Sequence, residues 1–252
     1  MDAAKLDFYY WAAMCPLNVE MLVLLREYGN RLEIHTHDIS EQPGLAGELR
    51  MFYPTLTVVN DRQRYFTPLR REFLECLCCG ELPTEVPYRP SLGRTPVAGT
   101  VYPITAENLD LAGSCVGHDG CRGCGQKAVL LKRMGLSVFG FLHVRENRLL
   151  GGAEYVPSTE VPYAIPHDPR KAFLTCVYLT DEVFDYKSVP LAALEAYLAE
   201  RYESALVISD ESGVFPNGDL TFFHQRGYQD LGVVAQEEVY CTLHLMEKQL
   251  HI

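Results

Sequence analysis

FLTCVYLTDEVFDYKSVPLAALEAYLAERY, residues 173–202, changes its hydrophobic period along its length. Phe173 to Leu179 is an apolar, β-branched and aromatic run with the length of a buried strand. A polar loop follows, carrying Asp181, Glu182, Asp185, Lys187 and Ser188. A helix is predicted from about Pro190, with Leu191, Leu194, Tyr197 and Leu198 on one face. Strand, polar loop and helix start in succession form an anion-collecting geometry, because unpaired backbone N–H groups and the positive end of the helix dipole both point at the loop. Downstream come a strand at Ala205–Ser209, a helix at about Leu220–Arg226, the pair Gly227-Tyr228 and one strand pattern from Val233 to Leu245.

This order resembles the GNAT acyltransferase superfamily over roughly residues 101–252. The resemblance rests on Gly151-Gly152-Ala153-Glu154-Tyr155, Phe173 to Thr180, Leu191 to Leu198 and Phe222-Phe223-x-x-x-Gly227-Tyr228. It implies a mixed-sheet α/β domain using acetyl-CoA or another acyl-CoA as co-substrate. In that family the central strand lines up the acyl-CoA, and the following loop and helix hold its pyrophosphate through Arg/Gln-x-x-Gly-x-Gly/Ala. The best register lays Lys187-Ser188-Val189-Pro190-Leu191-Ala192 on that motif. The cofactor-binding residues so implied are Val177, Tyr178, Leu179, Lys187, Ser188, Val189, Leu191 and Ala192. Ser188 and Pro190 stand where glycine is common, and Pro190 brings no N–H, so the cradle has one donor fewer. The rival reading is a strand–loop–helix unit that only packs.

Direct acyl transfer to an amine needs a base for the amine proton and an acid for the departing thiolate. Glu154, on a predicted strand Leu149–Val156, and Glu160, in the loop Pro157–Pro169, are the candidate bases. The adjacent strand is predicted at Val138–Val144. Glu154 and Tyr155 face opposite sides of their strand, so only one reaches a groove. The family's usual acid is a tyrosine on the helix before the Gly-Tyr pair. Here that helix carries Phe222, Phe223 and His224 and no such hydroxyl; Tyr178, on the central strand, is the candidate substitute where its side chain faces the cofactor. Glu160 and His167 also read as a solvated loop, and Cys176 reads as core.

A chain of 252 residues has the length of one large or two ordinary domains, and 48% hydrophobic with 22% charged residues is enough apolar material for a real core. A formal net charge of −11 argues against nucleic acid and anionic membrane as partners. There is no apolar run long enough to span a bilayer and no basic, signal-like start, so a cytoplasmic setting is expected. Nine cysteines in that setting point to thiols, metal ligands or catalytic sulfur rather than a disulfide framework.

Residues 1–90 read as βαβαββα: strands at Leu6–Trp11, Leu32–Ile39, Leu56–Val59 and Arg64–Pro68, and helices at Pro16–Tyr28, Gly44–Met51 and Arg70–Cys79. In the first helix Val19, Leu22, Val23 and Arg26 recur at i, i+3, i+4, i+7 and mark its expected face. Trp11-Ala12-Ala13-Met14-Cys15-Pro16-Leu17-Asn18 looks like the thioredoxin Trp-Ala-x-x-Cys-x-x-Cys signature, and Tyr53-Pro54-Thr55-Leu56 like that family's cis-proline segment. The resemblance implies a thioredoxin-like domain with Cys15 as nucleophile before a helix N-terminus. Asn18 occupies the resolving position, which leaves monothiol chemistry or a packing module. Cys76 and Cys79 share a helix face and are expected to be small core residues. Residues 91–99 lie in a proline-rich stretch read as a linker.

Ser114 to Gly125 holds three cysteines and a histidine. Cys115, His118, Cys121 and Cys124 have spacing that fits a zinc site. A thiol-handling site for the acceptor and a glycine-rich loop of packed thiols are the rival readings. A helix start is expected at Thr105, and a helix at Gln126–Met134. The sequence thus predicts a thioredoxin-like domain (1–90), a linker (91–99) and a GNAT-like domain (100–252), an arrangement that resembles YoaP-type acyltransferases, where the opposite order is expected. The function implied is an N-acyltransferase on a small amine, peptide or thiol-bearing acceptor. The alternatives are a catalytically degenerate binding or sensing protein, and a metal- or thiol-handling module built on Cys15 and the Cys115–Cys124 cluster.

Overall fold

The computed structural model describes residues 3–42, 44–113, 121–180, 182–214, 217–238 and 240–251. Two units divide the chain. Unit 1 runs to Val86 and also takes Arg122–Leu130 and Pro162–Ala164, while unit 2 takes Pro87–Cys121, Leu131–Val161 and Ile165 onward.

In unit 1 the elements are β1 (Lys5–Tyr10), α1 (Leu17–Glu27), β2 (Glu33–Asp38), α2 (Leu45–Glu48), β3 (Thr55–Val59), β4 (Gln63–Tyr65) and α3 (Arg71–Cys78). The sheet order is β2-β1-β3-β4, with β1 and β2 parallel and the other neighbours antiparallel. Leu6, Phe8, Met21, Leu25, Leu74 and Leu77 form its core. Burying each such side chain stabilises the fold by about 1.5–3 kcal/mol.

Two expectations are corrected here. The core face of α1 is Asn18, Met21 and Leu25, and Val23 is exposed. Spacing alone did not separate two stripes one residue apart on an apolar helix. Cys76 and Cys78 are only half-buried and Cys79 is exposed, because Leu74 and Leu77 supply the core face of α3.

Unit 2 carries β5 (Thr100–Ile104), α4 (Leu109–Ala112), β6 (Gly140–Arg145), β7 (Arg148–Pro157), β8 (Lys171–Leu179), α6 (Ser188–Ala199), β9 (Ser204–Asp210), α7 (Leu220–His224), β10 (Gln229–Glu237) and β11 (Cys241–Gln249). Helix α5 (Cys124–Arg133) has most of its length in unit 1. The strands form one seven-stranded sheet in the order β10-β11-β9-β8-β7-β6-β5. All neighbours are antiparallel except β8 and β9, which are parallel. Leu191, Leu194 and Leu198, at the helical spacing expected, are fully buried against Ala153, Val177 and Val207. The pattern Val233–Leu245 is a hairpin of two strands rather than one, turning between Glu237 and Cys241. Thr105 does not cap a helix. Its N–H instead donates to Asn108 Oδ1 at 2.8 Å, and α4 begins after Asn108.

Residues of the expected linker are tied into unit 2. Asp185 N–H donates to the Thr95 carbonyl at 3.0 Å, and Pro96 bridges to Asp185. Among the described residues, no helix is long and apolar enough to cross a membrane.

Candidate functional site

The parallel ladder between β8 and β9 joins only Lys171–Leu174 to Ser204–Val207. Beyond it, the side chain of Asn217 bridges the two strands. Asn217 Oδ1 accepts the Val177 N–H at 3.0 Å, and its Nδ2 donates to the Ile208 carbonyl at 2.8 Å. The buried amide of Asn217 thus replaces a rung of the sheet where backbone groups would otherwise be left without partners.

The first turn of α6 lies at the end of β8. Asp185 Oδ1 accepts the N–H groups of Lys187 (3.2 Å) and Ser188 (3.0 Å), while Oδ2 accepts the Ser188 hydroxyl. Arg226 Nη2 lies 3.4 Å from Asp185 Oδ2 and donates to Ser188 Oγ. Arg226 is held by its own donation to the Phe222 carbonyl at 2.8 Å and by stacking on the Phe222 ring, 3.6 Å from the centroid. Backbone N–H groups, a hydroxyl and a guanidinium converging at a helix N-terminus are the donors an anion needs, and here the chain's own carboxylate receives them.

Lys187, on the register of the family's Arg/Gln, turns inward. Its Nζ donates to the Asn217 carbonyl at 3.1 Å, and the residue is buried. Burial lowers its pKa to about 8, against the opposing influence of Cys176, Asp219 and Asp185.

The register β7–β8 sets Gly152 opposite Tyr178 and Glu154 opposite Cys176. Directly opposed residues share a face, as do residues two apart, so Glu154, Cys176 and Tyr178 stand on one face of the sheet. The Tyr178 ring crosses Gly152, where a Cβ would collide with the phenol. Glu154 and Tyr178 are both buried. Tyr155 faces the other side, in the core with Leu191 and Leu194. The structure therefore gathers Glu154 and Tyr178 and adds Cys176 to them.

Other predicted residues lie elsewhere. Glu160 is exposed at the end of a 3-10 turn, Ser158–Glu160, after β7, and His167 is exposed in the loop beyond. The side chains of Val177 and Leu191 are core, the N–H of Val177 goes to Asn217, and that of Leu191 closes the first helical bond to the Lys187 carbonyl. Leu179 packs with Leu150 and Tyr186. Ser188 is half-buried at the anion cradle, Val189 is half-buried and Ala192 exposed.

Cys15 is a thiol two residues before α1, in unit 1. Asn18 is buried, and its Nδ2 donates to the carbonyls of Ala12 (2.9 Å) and Pro54 (3.3 Å), so the residue at the resolving position is a structural clamp. Cys115 and His118 lie outside the described residues, as does Asp181. Cys121 and Cys124 are disulfide-bonded, and no group of metal-ligating side chains occurs among the described residues. Sulfur in a disulfide offers no thiolate to zinc, which corrects the zinc expectation at these two positions.

Sequence reasoning missed Asn217, Arg226 and the capping role of Asp185. Asp185 had a local signal, an acidic residue three before Ser188 at a helix start. Asn217 opens a turn-type Asn-Gly-Asp, but nothing local connects it to β8.

No family model matches the chain, and no curated protein matches it in sequence. Solved structures match part of it. A ribosomal-protein-alanine N-acetyltransferase from Brucella melitensis is 17% identical, with a TM-score of 0.45, over 60% of this chain and 99% of that one. An N-acetyltransferase from Staphylococcus aureus Mu50 is 13% identical, with a TM-score of 0.46, over 62% of this chain and 100% of that one. The PaiA N-acetyltransferase from Thermoplasma acidophilum, in complex with coenzyme A, is 12% identical, with a TM-score of 0.40, over 61% of this chain and 99% of that one.

Proposed function

We propose that unit 2 is an acyl-CoA-dependent N-acyltransferase, using acetyl-CoA and a small amine, peptide or thiol-bearing acceptor. The observation that carries this reading is the opening of β8 from β9 beside an arginine-backed helix N-terminus. A pyrophosphate would take the donors now held by Asp185: the N–H groups of Lys187 and Ser188, the Ser188 hydroxyl and Arg226. The neighbouring face of β7 and β8 supplies the acid–base pair. Glu154 takes a proton from the acceptor amine as its nitrogen attacks the thioester carbonyl. As the C–N bond forms and the C–S bond breaks, the Tyr178 hydroxyl gives its proton to the departing thiolate.

Unit 1 is read as a thioredoxin-like accessory domain. Its support is the order of its elements, the parallel β1–β2 pair and Cys15 at the start of α1. The test of the transferase reading is release of CoA thiol from acetyl-CoA with a panel of amines. Turnover should fall at least a hundredfold in Glu154→Gln, with acetyl-CoA affinity kept. Equal turnover in wild type and variant contradicts the assignment.

A non-catalytic binding role is favoured by one feature, the occupation of the anion cradle by Asp185. Absence of turnover with every amine, together with retained acetyl-CoA binding, would select it.

A further inference from the structure

Asn18 cannot resolve a disulfide on Cys15, so a resolving sulfur within the chain has to come from outside the Cys15–Asn18 motif. The segment Arg122–Leu130 belongs to unit 1 and brings one. Gly123 packs so closely on Pro16 that a Cβ on it would collide with the Pro16 carbonyl oxygen, carbonyl carbon and Cα. Only glycine permits that approach. Each of the two touching residues is the chain neighbour of a cysteine: Cys15 precedes Pro16, and Cys124 follows Gly123.

Their redox states differ. Cys15 is a thiol, whereas Cys124 and Cys121 are disulfide-bonded. With the other six described cysteines reduced, the bonded pair is read as one Cys121–Cys124 disulfide. Cys124 is buried at the start of α5 and Cys121 is half-buried. Tyr163 is buried, lies edge-on to Trp11 at 5.3 Å between ring centroids and tilts against Phe52 at 5.9 Å. Its phenol is pushed well above its ordinary pKa by burial and then by the charge of Cys15.

We propose that Cys15 and the Cys121–Cys124 disulfide form a three-sulfur thiol–disulfide relay, with Cys124 as the resolving partner that Asn18 is not. The Cys15 thiolate attacks Cys124 Sγ. The Cys15–Cys124 bond forms as the Cys121–Cys124 bond breaks, and the electron pair leaves on Cys121 Sγ, which takes a proton from water. A small-molecule thiol then attacks Cys15 Sγ and releases Cys124 as a thiol. A second thiol frees Cys15 and leaves as the small-molecule disulfide. In sum, one protein disulfide and two thiols give two protein thiols and one small-molecule disulfide. The reverse direction reduces a small-molecule disulfide. The relay stands whether or not unit 2 transfers acyl groups.

The test traps the intermediate in the full chain. Cys121→Ser, reduced and then oxidised with glutathione disulfide, is acid-quenched, alkylated, cut with trypsin and analysed by mass without reduction. The peptide Leu6–Arg26 should appear joined to Gly123–Lys127 as the main oxidised product. Cys15 and Cys124 found instead as separate glutathione adducts or alkylated thiols, with no joined peptide, would overturn the relay. In the otherwise wild-type chain, Cys15→Ser should slow reduction of the disulfide by glutathione at least tenfold, with Cys76→Ser as the unaffected control. An unchanged rate in Cys15→Ser also overturns it. Gly123→Ala in the Cys121→Ser background should reduce the yield of the joined peptide, because the alanine methyl group pushes Cys124 away from Cys15. An undiminished yield would remove the Gly123–Pro16 contact as its basis.

Discussion

Asp185 Oδ1 accepts the backbone N–H of Ser188 at 3.0 Å, so the positive end of α6 is neutralised by a carboxylate three residues before it. Any phosphate at this helix end has to displace that carboxylate or coexist with its charge.

Asp185→Asn should therefore bind acetyl-CoA about tenfold more tightly than wild type, a gain of about 1.4 kcal/mol. Asparagine keeps a carbonyl oxygen for the cap and removes the charge. Calorimetric titration of both proteins reads this directly. Equal or weaker binding in the variant would show that Asp185 does not compete for the cradle.

Lys187 makes a separate claim about stability. Its pKa of about 8 lies below the ordinary lysine value because burial disfavours the ammonium. Between about pH 8 and pH 10.5 the unfolded chain holds this proton and the folded chain does not, so stability from this group rises with pH across that window. At pH 7 the charged, buried form costs roughly 3 kcal/mol. Lys187→Met should stabilise the protein at pH 7 by about 2 kcal/mol, the remainder being lost with the hydrogen bond to the Asn217 carbonyl. The rise above pH 8 should flatten. Urea unfolding at pH 7 and pH 10 measures both, and a destabilised variant with the same pH slope would contradict the burial argument.

Asn217→Ala leaves the Val177 N–H and the Ile208 carbonyl without their partner at the opening of the sheet. Stability should drop by about 2–4 kcal/mol, with the denaturant slope unchanged. A loss below about 0.5 kcal/mol would mean that the bridge does not hold the two strands.

His244, on β11, has Asp230 at 2.8 Å from Nδ1 and Glu211 at 3.3 Å from Nε2. Burial lowers its pKa, but the two carboxylates outweigh burial and the net shift is upward. The stability this group contributes is full below its unfolded pKa near 6.5 and is lost as pH rises through the folded value. His244→Gln should consequently lose more stability at pH 6 than at pH 9. The same loss at both values would contradict a charged His244 in the fold.

The elements that the sequence made legible are those whose signal is local. Phe173–Leu179 and Leu191–Leu198 show their strand and helix through residue type and spacing alone, and both lie where expected. Glu154 and Tyr178 were legible as candidates one by one. Their common face depends on the β7–β8 register, which no single strand carries. The hairpin β10–β11 hid inside one continuous strand pattern. Cys76 and Cys79 misled because shared spacing marks a face without saying which face is buried. Asn217, Arg226 and the approach of Gly123 to Pro16 connect residues distant in sequence and leave no mark on composition or period.

Whether the α6 N-terminus holds the pyrophosphate of an acyl-CoA is read by titrating acetyl-CoA into the wild-type chain and into Arg226→Ala by calorimetry. Binding near micromolar Kd, about −8 kcal/mol, is expected, with a loss of at least tenfold in the variant. No binding up to millimolar concentration, or equal affinity in both proteins, would contradict it.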